Sequence, residues 1–416
     1  MKLKMSDKSL NIVVVGGGAA GFFGAISCAH HFPQHQVILL EKTRQPLAKV
    51  RISGGGRCNV THACFDPSIL IKSYPRGSQE LRGPFTRFQP KDTIEWFENR
   101  GVKLKAEEDG RMFPVTDQSE TIIACLQQAA REARIDIRLE RGVQKIIKEE
   151  KGFTLHLSNE EILICDKLLM ATGSAPKLYP LLEELGHTII PLVPSLFTFN
   201  VPDSPLLDLA GVSLPVAQVR LVDEGIMQQG PLLLTHWGFS GPAVLKLSAW
   251  AARELHTLNY KTKMEINWLP NLSEEEIRLT FSKMKRSNPA KLVMSESLFE
   301  LPKQLWKRLA QLSSIDTDLR WAMLSNKHLS SFITYLRASP FLIQGKTTYK
   351  QEFVTCGGVA LNEVNFKTLE SRRCPHLFFA GEILNIDGIT GGFNFQNAWT
   401  TGWIAGCSMG MPTSVL

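Results

Sequence analysis

The sequence lacks a CxxC cysteine pair, and it lacks an apolar run long enough to cross a membrane. Its eight cysteines are scattered along the chain, which argues against a redox disulfide motif or a zinc site and favours reduced thiols in a cytoplasm. No apolar stretch reaches the roughly 18 residues of a membrane span, and no signal-type apolar segment follows the polar lead over residues 1–10. We therefore expect a cytoplasmic protein without a bound metal or a membrane partner.

Internal repeats, low-complexity tracts and a second GxGxxG pattern are absent as well. Disulfide reductases that bind two dinucleotides carry two such glycine patterns and a redox CxxxxC pair, so the sequence argues against that class. The chain of 416 residues is long enough for two or three domains. Its net charge of +7 is compatible with an anionic partner but is modest for a chain of this length.

One glycine pattern is present, between two apolar runs in residues 11–41. An apolar strand, a glycine turn, a small-residue helix and a second strand ending in an acid are typical of a dinucleotide-binding βαβ unit. Gly16 permits the turn, Gly18 allows a pyrophosphate to approach the backbone, and Gly21 allows the helix to pack on the strand. The helix N-terminus favours phosphate, and Glu41 can accept hydrogen bonds from ribose hydroxyls. The pattern predicts FAD or NAD rather than NADP; the alternative is a glycine-rich turn in an ordinary α/β protein.

Three consecutive glycines stand in SGGGRCN, residues 53–59. Such a run does not suit the interior of a strand or helix, and it suits backbone that lies flat against a planar or phosphorylated ligand. Arg57 can pair with a phosphate and Asn59 can bond the edge of a heterocycle, whereas Cys58 is expected to be an inert packed thiol. The alternative for this segment is a flexible surface loop.

A further candidate segment is FAGEILNIDGITGGFNFQ, residues 379–396. An apolar strand ends at Gly381-Glu382, a glycine-rich loop follows, and a helix is predicted to begin near Asn394. The N-terminus of that helix can stabilise the negative charge that a reduced flavin carries at its N1 and C2-carbonyl edge. The segment therefore predicts a flavin on this turn, and the alternative is a structural strand-loop-helix connection.

Three residues are candidates for catalysis. His236 lies in THWGFSGP, among residues typical of glycine turns, and it could act as an acid or as an anion contact. The alternative is a structural role, which is the more frequent one for a histidine just before a helix. Thr355 belongs to the glycine turn TCGG, which we expect to line the same cleft, and Arg57 is the third candidate.

The alternation of strand and helix patterns is interrupted by an insert. The two elements alternate through residues 1–193, residues 194–350 are β-rich with a helical part over about residues 273–337, and the first pattern returns in residues 351–416. Within the insert, the letters SEEE from Ser273 predict an N-terminal capping box. The simplest architecture is a dinucleotide domain built from both ends of the chain and interrupted by a substrate domain.

Seven motifs, spread in order over nearly the whole chain, resemble a bacterial flavoprotein family usually labelled NAD(P)/FAD-dependent oxidoreductases. The family includes aminoacetone-oxidase-like proteins, bile-acid 3-oxo reductase-like proteins and a ribosomal RNA dihydrouridine synthase. The motifs are GGGAAG at 16–21, SGGGRCNVT at 53–61, GRMFPVTD at 110–117, ATG at 171–173, THWGFSGPAVL at 235–245, VTCGGV at 354–359 and AGEILNIDGITGGFNFQNAW at 380–399. They indicate the family and leave the substrate open.

The resemblance implies both a fold and a cofactor. The implied fold class is α/β: a three-layer, Rossmann-like FAD-binding domain with a parallel sheet, interrupted by an inserted β-barrel with a helical subdomain. The implied cofactor is FAD, with NAD(P)H as a transient reductant. The residues expected to bind FAD are Gly16, Gly18, Ala19, Ala20, Gly21, Glu41, Lys42, Lys49, Ser53, Gly54, Gly55, Gly56, Arg57, Cys58, Asn59, Val143, Thr172, Gly173, Gly381, Glu382, Gly392, Phe393 and Asn394.

The sequence departs from the family pattern at three points. Ser174 stands where a second glycine usually follows the ATG motif. Ala48 precedes Lys49 where the family often has an Arg-Lys pair, so only the lysine carries over. Asn385 replaces a frequent aspartate, which argues against an acid role at that position.

Three functional hypotheses follow. The first is an FAD-dependent oxidoreductase that passes hydride from NAD(P)H through flavin N5 to an unsaturated acceptor, either a small molecule or an RNA. The second narrows the acceptor to uridine in ribosomal RNA, because residues 282–308 contain seven basic and two acidic side chains; the alternative for that segment is a solvated helix face. The third is a flavin-binding protein without turnover.

Overall fold

The computed structural model describes residues 9–347 and 354–411, and this part of the chain divides into two compact units. The first unit consists of residues 9–193 and 354–411, and the second consists of residues 194–347. The predicted return to the dinucleotide domain at residue 351 lies outside the described residues, as does the polar lead up to residue 8. No helix within the described ranges is both long enough and apolar enough to span a bilayer.

A seven-stranded sheet forms the centre of the first unit. Five consecutive strands of it are parallel, and side chains such as Val13 and Leu39 are fully buried, as expected for strands covered on both faces. In sheet order the strands are Val364–Asn365, Glu370–Ser371, Leu377–Phe379, Lys167–Met170, Asn11–Val15, Gln36–Leu40 and Asp136–Arg138. The predicted parallel sheet is therefore confirmed.

Helices and smaller sheets complete the first unit. From the first helix to the last helix, the helices of this unit are Ala19–His31, Ala48–Ile52, Pro67–Leu70, Ser78–Phe85, Pro90–Glu98, Ser119–Glu132, Tyr179–Glu184 and Phe393–Met409. The smaller sheets are Thr61–His62, Arg111–Pro114 and Leu104–Ala106; Val143–Glu149, Gly152–Leu157 and Ile162–Cys165; and the pair Ile189–Ser195 and Val354–Val359. The first unit therefore combines the central sheet with eight helices and three smaller sheets within the described residues.

An antiparallel sheet of seven strands forms the centre of the second unit. In sheet order the strands are Ser339–Gln344, Lys261–Asn267, Ser213–Leu221, Met227–Thr235, Gly238–Ser240, Thr198–Asn200 and Lys346–Thr347. The two strands at opposite ends of this order are consecutive in the chain, and only Gly345 separates them. One bent stretch of chain therefore pairs with Lys261–Asn267 through its first strand and with Thr198–Asn200 through its second, which closes the sheet into a barrel.

A helical part belongs to the second unit and shares one hydrophobic core with its sheet. The helices of the described part are Pro242–Trp250, Ala252–Thr257, Glu274–Ser287, Lys303–Leu312 and Asn326–Arg337. The capping box predicted at Ser273 is confirmed, because its Oγ accepts from the Glu276 N–H at 3.2 Å and its N–H donates to Glu276 Oε2 at 2.7 Å. Phe281, Trp306 and Phe332 are fully buried between these helices, so aromatic packing stabilises them.

The first helix and the last helix pack with their backbones in contact. A Cβ at Gly402 would lie 2.7 Å from the carbonyl oxygen of Ala20, and a Cβ at Gly406 would lie 2.4 Å from the carbonyl oxygen of Gly24. Only glycine permits this approach. Because the contacts advance together along both helices, the helices run parallel, and their N-termini lie at the same end of the pair.

We predict that Gly402→Ala destabilises the protein. The added methyl group overlaps the Ala20 carbonyl, and overpacking of this kind costs about 1–3 kcal/mol of unfolding free energy. Urea denaturation followed by circular dichroism measures the loss. Ser408→Ala, which removes an atom from the same helix, is the matched control and should have the smaller effect; an equal effect of both variants would contradict the prediction.

A buried histidine joins two segments of the first unit by hydrogen bonds, near the edge strands of the central sheet. His187 is 3% exposed, and its Nδ1 lies 3.1 Å from Glu363 Oε2 while its Nε2 lies 2.9 Å from Ser371 Oγ. Burial lowers the pKa of His187, although the nearby Glu363 carboxylate opposes this effect. For Glu363, burial raises the pKa, but hydrogen bonds from Thr188 and His187 outweigh it, and the net direction is downward.

We predict that the protein loses stability as the pH falls below about 6.5, the ordinary pKa of histidine. Since the pKa of His187 is lowered in the folded state, the unfolded chain binds a proton in this range before the folded chain does. One such group contributes at most about 1.4 kcal/mol per pH unit. The variant His187→Asn should flatten the dependence of unfolding free energy on pH between 7 and 5, whereas His256→Asn, at an exposed position, should leave it unchanged.

Candidate cofactor site

Close contacts shape the glycine turn after the first strand. Gly16 has a φ of +112°, and a Cβ there would lie 2.5 Å from the carbonyl oxygen of Ala171. A Cβ at Gly21 would lie 1.8 Å from the carbonyl oxygen of Gly16, whereas a Cβ at Gly18 would meet no protein atom within 4 Å. The fold itself therefore requires Gly16 and Gly21. Gly18 instead lies beside open space, here called the cradle, which a side chain at this position would occupy. Without a side chain, a ligand can approach the backbone there.

The first helix and the last helix both begin without a side-chain cap. Gly18 is the N-cap of the first helix, and Ala19 and Ala20 start it with no acid in the first turn. Gly392, at φ +90°, is the N-cap of the last helix, which begins at Phe393 and also has no acid in its first turn. Because the two helices run parallel, their partial positive charges lie at one end of the pair. That end can stabilise an elongated anionic ligand.

Glu41 lies beside the glycine turn that follows the first strand, and its carboxylate accepts hydrogen bonds from the protein itself. Its Oε2 accepts from the Gly17 N–H at 2.9 Å, and its Oε1 accepts from the Thr43 N–H at 2.9 Å and from Thr43 Oγ at 2.8 Å. A carboxylate offers about four acceptor positions. The Thr43 hydroxyl also lies 2.9 Å from the Gln45 carbonyl oxygen, so it can donate there instead and leave Glu41 two positions for a ribose diol.

The three glycines of the SGGG turn adopt left-handed conformations. The φ values of Gly54, Gly55 and Gly56 are +57°, +67° and +84°, and Cβ atoms at Gly55 and Gly56 would meet no protein atom within 4 Å. The turn Ser53–Gly56 thus presents bare backbone. Cys58 directly follows it and is fully buried, and burial raises the pKa of its thiol to about 12, as expected for an unreactive packed cysteine.

Arg57 is engaged with protein carboxylates. Its Nη1 lies 2.7 Å from Glu107 Oε1 and 3.3 Å from Asp117 Oδ1, and its guanidinium carbon lies 3.9 Å from the centre of the Phe113 ring. These contacts fix the guanidinium between two acids and an aromatic face. The structure thus gives Arg57 a role in holding the glycine turn, and contact with a phosphate or with substrate stays a prediction.

Asn59 connects the glycine turn to the last helix. With the amide oriented to suit its neighbours, Oδ1 accepts from the Gly392 N–H at 2.9 Å, and Nδ2 donates to the carbonyl oxygens of Thr61 at 3.0 Å and Met112 at 3.3 Å. Both amide hydrogens and one oxygen position are therefore used within the protein. The side chain orients the start of the last helix, and bonding of a heterocycle edge stays a prediction.

The loop before the last helix is closed by hydrogen bonds and ring packing. Asn394 Oδ1 accepts from the Gly388 N–H at 2.8 Å, and its Nδ2 donates to the Gly388 carbonyl oxygen at 2.9 Å. Tyr74 Oη donates to the Phe393 carbonyl oxygen at 2.7 Å, and the His62 ring stacks on the Phe393 ring at 4.7 Å. The side chain of Asn394 therefore shapes the loop, while its backbone N–H belongs to the helix N-terminus.

A buried ion pair that the sequence analysis missed anchors the same loop. Asp387 is fully buried, and its Oδ1 accepts from Arg76 Nε at 2.6 Å. A Cβ at Gly77 would lie 2.5 Å from Ile386 Cγ1, so the two segments are tightly packed. The partners are 311 residues apart, and no local pattern connects them.

Glu382 lies where the ATG turn meets the C-terminal loop. Its Oε2 lies 2.5 Å from Lys49 Nζ, and a Cβ at Gly173 would lie 3.5 Å from the same oxygen. Thr172 directly precedes this glycine, and its hydroxyl donates to the Gly173 carbonyl oxygen at 3.4 Å. A Cβ at Gly381 would lie 2.9 Å from Ala20 Cβ. These contacts bring residues from four predicted segments together at the N-terminus of the first helix.

Two buried polar side chains of the first unit lack a hydrogen-bond partner within the described residues. Tyr179 is 5% exposed, and its Oη makes no hydrogen bond; burial raises its pKa, and the Glu382 carboxylate adds to this effect. Asn397, on the last helix, is fully buried, and neither atom of its amide has a partner. Unpartnered buried groups of this kind fit a site in which a bound molecule supplies the missing partner.

Lys42 lies close to the segment that leads into Val143, and this segment also contacts the backbone of Glu41. A Cβ at Gly142 would lie 3.5 Å from Lys42 Cβ, and the Arg141 N–H donates to the Glu41 carbonyl oxygen at 2.8 Å. Val143 is 7% exposed and begins the strand Val143–Glu149. The backbone at this point is near enough to Glu41 to meet the same ligand.

The remaining catalytic candidates belong to different units. His236 is exposed in the two-residue turn between the strands Met227–Thr235 and Gly238–Ser240 of the second unit. Thr355 is 4% exposed in the strand Val354–Val359 of the first unit. Their catalytic roles stay predictions. Within the described residues, no group of three or more potential metal ligands is present.

The basic segment of the insert has fewer free charges than its sequence indicates. Lys291 pairs with Glu296, Arg308 pairs with Asp208 at 2.6 Å, and Lys285 Nζ donates to the Leu324 carbonyl oxygen at 2.7 Å. The exposed bases of this segment that have no ion pair within the described residues are Lys283, Arg286, Lys303 and Lys307. The sequence count thus overstated the net charge of this surface by one, because it did not include Asp208, the acidic partner of Arg308.

Comparison with known proteins provides relatives for this architecture. A family model described as HI0933-like protein Rossmann domain matches residues 10–408. A ribosomal RNA dihydrouridine synthase of Escherichia coli is 31% identical over 406 residues, which cover 94% of this chain and 96% of that protein. A 3-dehydro-bile acid delta(4,6)-reductase of Clostridium scindens is 28% identical over 404 residues, which cover 95% and 98%.

A solved structure shares the fold at lower identity. The 3-ketosteroid-delta4-(5alpha)-dehydrogenase from Rhodococcus jostii RHA1 matches with a TM-score of 0.51 and 13% identity over 99% of both chains. This likeness shows the common fold, and the family match extends over nearly all of the described residues. The chain therefore belongs to the HI0933-like Rossmann-domain family of FAD-binding oxidoreductases.

Proposed function

We propose that this protein is an FAD-dependent reductase that uses NAD(P)H to saturate a carbon–carbon double bond conjugated to a carbonyl group. The observation that carries the proposal is the pair of parallel, uncapped helix N-termini next to a bare glycine turn. Helix N-termini bind anions through unpaired N–H groups and the helix dipole. One of them suits a pyrophosphate, and the other suits the N1 edge of a flavin.

The residues present fit FAD from one end to the other. Glu41 would hold the adenosine ribose, and the cradle at Gly18 would admit the pyrophosphate to the N–H groups of the first helix. The N–H groups at Phe393 and Asn394 would face the N1 and C2-carbonyl edge, where the partial positive charge of the last helix stabilises negative charge. When bound, FAD supplies hydride transfer at N5.

The proposed substrate class follows from chemistry shared by the names of two relatives. In uridine the C5=C6 double bond is conjugated to the C4 carbonyl group, and dihydrouridine is the product in which this bond is saturated. The name delta(4,6)-reductase, applied to a 3-dehydro bile acid, denotes double bonds at positions 4 and 6 of the steroid, which are conjugated to its 3-oxo group. In both cases hydride addition places negative charge on a carbonyl oxygen, which a hydrogen-bond donor must stabilise. His236, Arg57 and Thr355 are the candidate donors in this chain.

Anaerobic reduction tests the proposal. Purified protein should carry a flavin absorbance band, and NADH or NADPH should bleach it within seconds. An enone or uridine-type acceptor should then restore the band, with one product molecule formed per flavin. A flavin that neither nucleotide bleaches would overturn the proposal and favour a flavin-binding protein without turnover.

A second candidate function is the reduction of uridine in ribosomal RNA. The observation that favours it is the similarity over nearly the whole chain to a ribosomal RNA dihydrouridine synthase, together with the four exposed bases of the helical part. Basic side chains bind phosphate backbones in a salt-dependent manner. Ribosomal RNA from a deletion strain should lack one dihydrouridine, and the wild-type gene should restore it. Unchanged RNA would exclude this substrate.

We predict that Gly18→Ala separates cofactor binding from folding. The added Cβ meets no protein atom within 4 Å, so the unfolding free energy of the flavin-free protein should change by no more than about 1 kcal/mol, the cost of losing glycine at an N-cap. The methyl group enters the space in front of the helix N-terminus. Titration with FAD, followed by the quenching of flavin fluorescence, should show affinity weakened at least tenfold.

The contrasting variant is Gly21→Ala, in which the Cβ would lie 1.8 Å from the Gly16 carbonyl oxygen. This change should lower the stability of the flavin-free protein itself. Equal FAD affinity in Gly18→Ala and wild type would contradict the assignment of the pyrophosphate to this cradle.

A further inference from the structure

The second unit contains a pocket apart from the predicted cofactor residues. It has a volume of about 370 Å³ and lies between strands of the antiparallel sheet and the helices of the helical part. This volume is at the small end of the range for ligand pockets, so it suits a single ring system rather than a dinucleotide. The polar side chains that line it are Gln218, Arg220, Glu265, Asn267, Glu274, Thr334 and Arg337.

Two neighbouring strands form the floor of the pocket. Arg220 on one strand is directly opposite Glu265 on the other, and Gln218 is directly opposite Asn267. These four residues alternate with buried side chains along both strands, so they project from the same face of the sheet. The floor is therefore an ordered array, with a cation beside an anion in one row and two amides in the next.

The hydrogen-bonding groups of this floor are largely unused by the protein. Within the described residues, Arg220, Glu265 and Gln218 make no side-chain hydrogen bond or ion pair, and Asn267 uses only its oxygen, which accepts from the Leu269 N–H at 3.0 Å. Opposite charges on neighbouring strands are close enough for one ligand to meet both.

The wall of the pocket adds a second pair of charges and an apolar surface. Arg337 Nη1 lies 3.4 Å from Glu274 Oε2, and Arg278 Nη2 lies 2.7 Å from Glu274 Oε1. Arg337 Nε is shielded from solvent and has no hydrogen-bond partner within the described residues. Ile333 and Ala338 line the same wall and can pack against the face of a planar ring. The pocket is lined by charges of both signs rather than by basic side chains alone, so it suits a polar ring that carries both donors and acceptors better than a phosphate group.

We propose that this pocket binds a guanine base. Guanine presents one acceptor, O6, beside two donors, N1–H and the N2 amino group. A carboxylate can accept from both donors at once, and a neighbouring guanidinium can donate to O6, which matches Glu265 beside Arg220. Adenine would direct its N1 acceptor at the carboxylate, and uracil offers a single donor between two acceptors. The base comes either from a free nucleotide or from an unpaired residue of an RNA, since single-stranded bases are recognised by such edge contacts.

Calorimetric titration of the purified holoprotein with GMP, AMP and UMP tests the proposal. GMP should bind at least about tenfold more tightly than either of the others, which is within the discrimination of one bidentate contact. Glu265→Gln cannot accept from two donors, and it should weaken GMP binding about tenfold without a change in flavin content or melting temperature. Glu275→Gln, at an exposed position that does not line the pocket, should bind GMP as wild type does.

A single-stranded oligonucleotide with one guanosine distinguishes the two sources of the base. Tighter binding of the oligonucleotide than of GMP assigns the pocket to RNA, and weaker binding assigns it to a free nucleotide; either result supports the proposal if Glu265→Gln abolishes the preference for guanine. Absence of GMP binding at millimolar concentration, equal binding of all three nucleotides, or an effect of Glu275→Gln as large as that of Glu265→Gln would overturn it. None of these outcomes depends on the reductase activity.

Discussion

The backbone contact between the first helix and the last helix is the constraint on which the first unit depends. These helices come from opposite ends of the described chain, and glycines at Gly24, Gly402 and Gly406 allow them to meet. A larger residue at these positions would separate the helices and their N-termini. The site at that edge therefore exists only when both ends of the chain are folded together. The second unit can be inserted between them because the contact does not involve the intervening residues.

Most full charges around the predicted cofactor site are neutralised in pairs. Lys49 pairs with Glu382, Arg76 with Asp387, and Arg57 with two acids. Lys42 is exposed and has no ion pair within the described residues, and the remaining positive potential is that of the two helix N-termini, whose charge is fixed in direction by the backbone. Such a site holds an anion mainly through backbone N–H groups. It also stabilises negative charge on a flat ring more directly than a distant lysine would, because the N–H groups do not need to reorganise.

Local patterns predicted the parts of the structure that depend on residues close in sequence. The glycine turn at Gly16, the left-handed SGGG turn and the capping box at Ser273 each follow from a few adjacent residues. The contacts that fix the site are of another kind. The Asp387 ion pair joins residues 311 positions apart, and Arg308 is neutralised by an aspartate 100 positions away. A single sequence shows the residues of such pairs but not which residues pair. The sequence therefore did not predict the Asp387–Arg76 ion pair, and it overstated the net charge of residues 282–308.

The predicted cofactor site and the proposed guanine pocket present different chemical groups, and this difference bears on how substrates can change within the family. The predicted cofactor site relies mainly on backbone N–H groups, which most substitutions preserve. Relatives that are 31% and 28% identical carry names with different substrates, so substrate choice must depend on side chains. The pocket floor formed by Arg220 and Glu265 depends on side chains, because replacement of one of these residues can put a hydrogen-bond donor where an acceptor was, or the reverse. A site built from backbone N–H groups and a pocket built from side chains can therefore change independently in one chain.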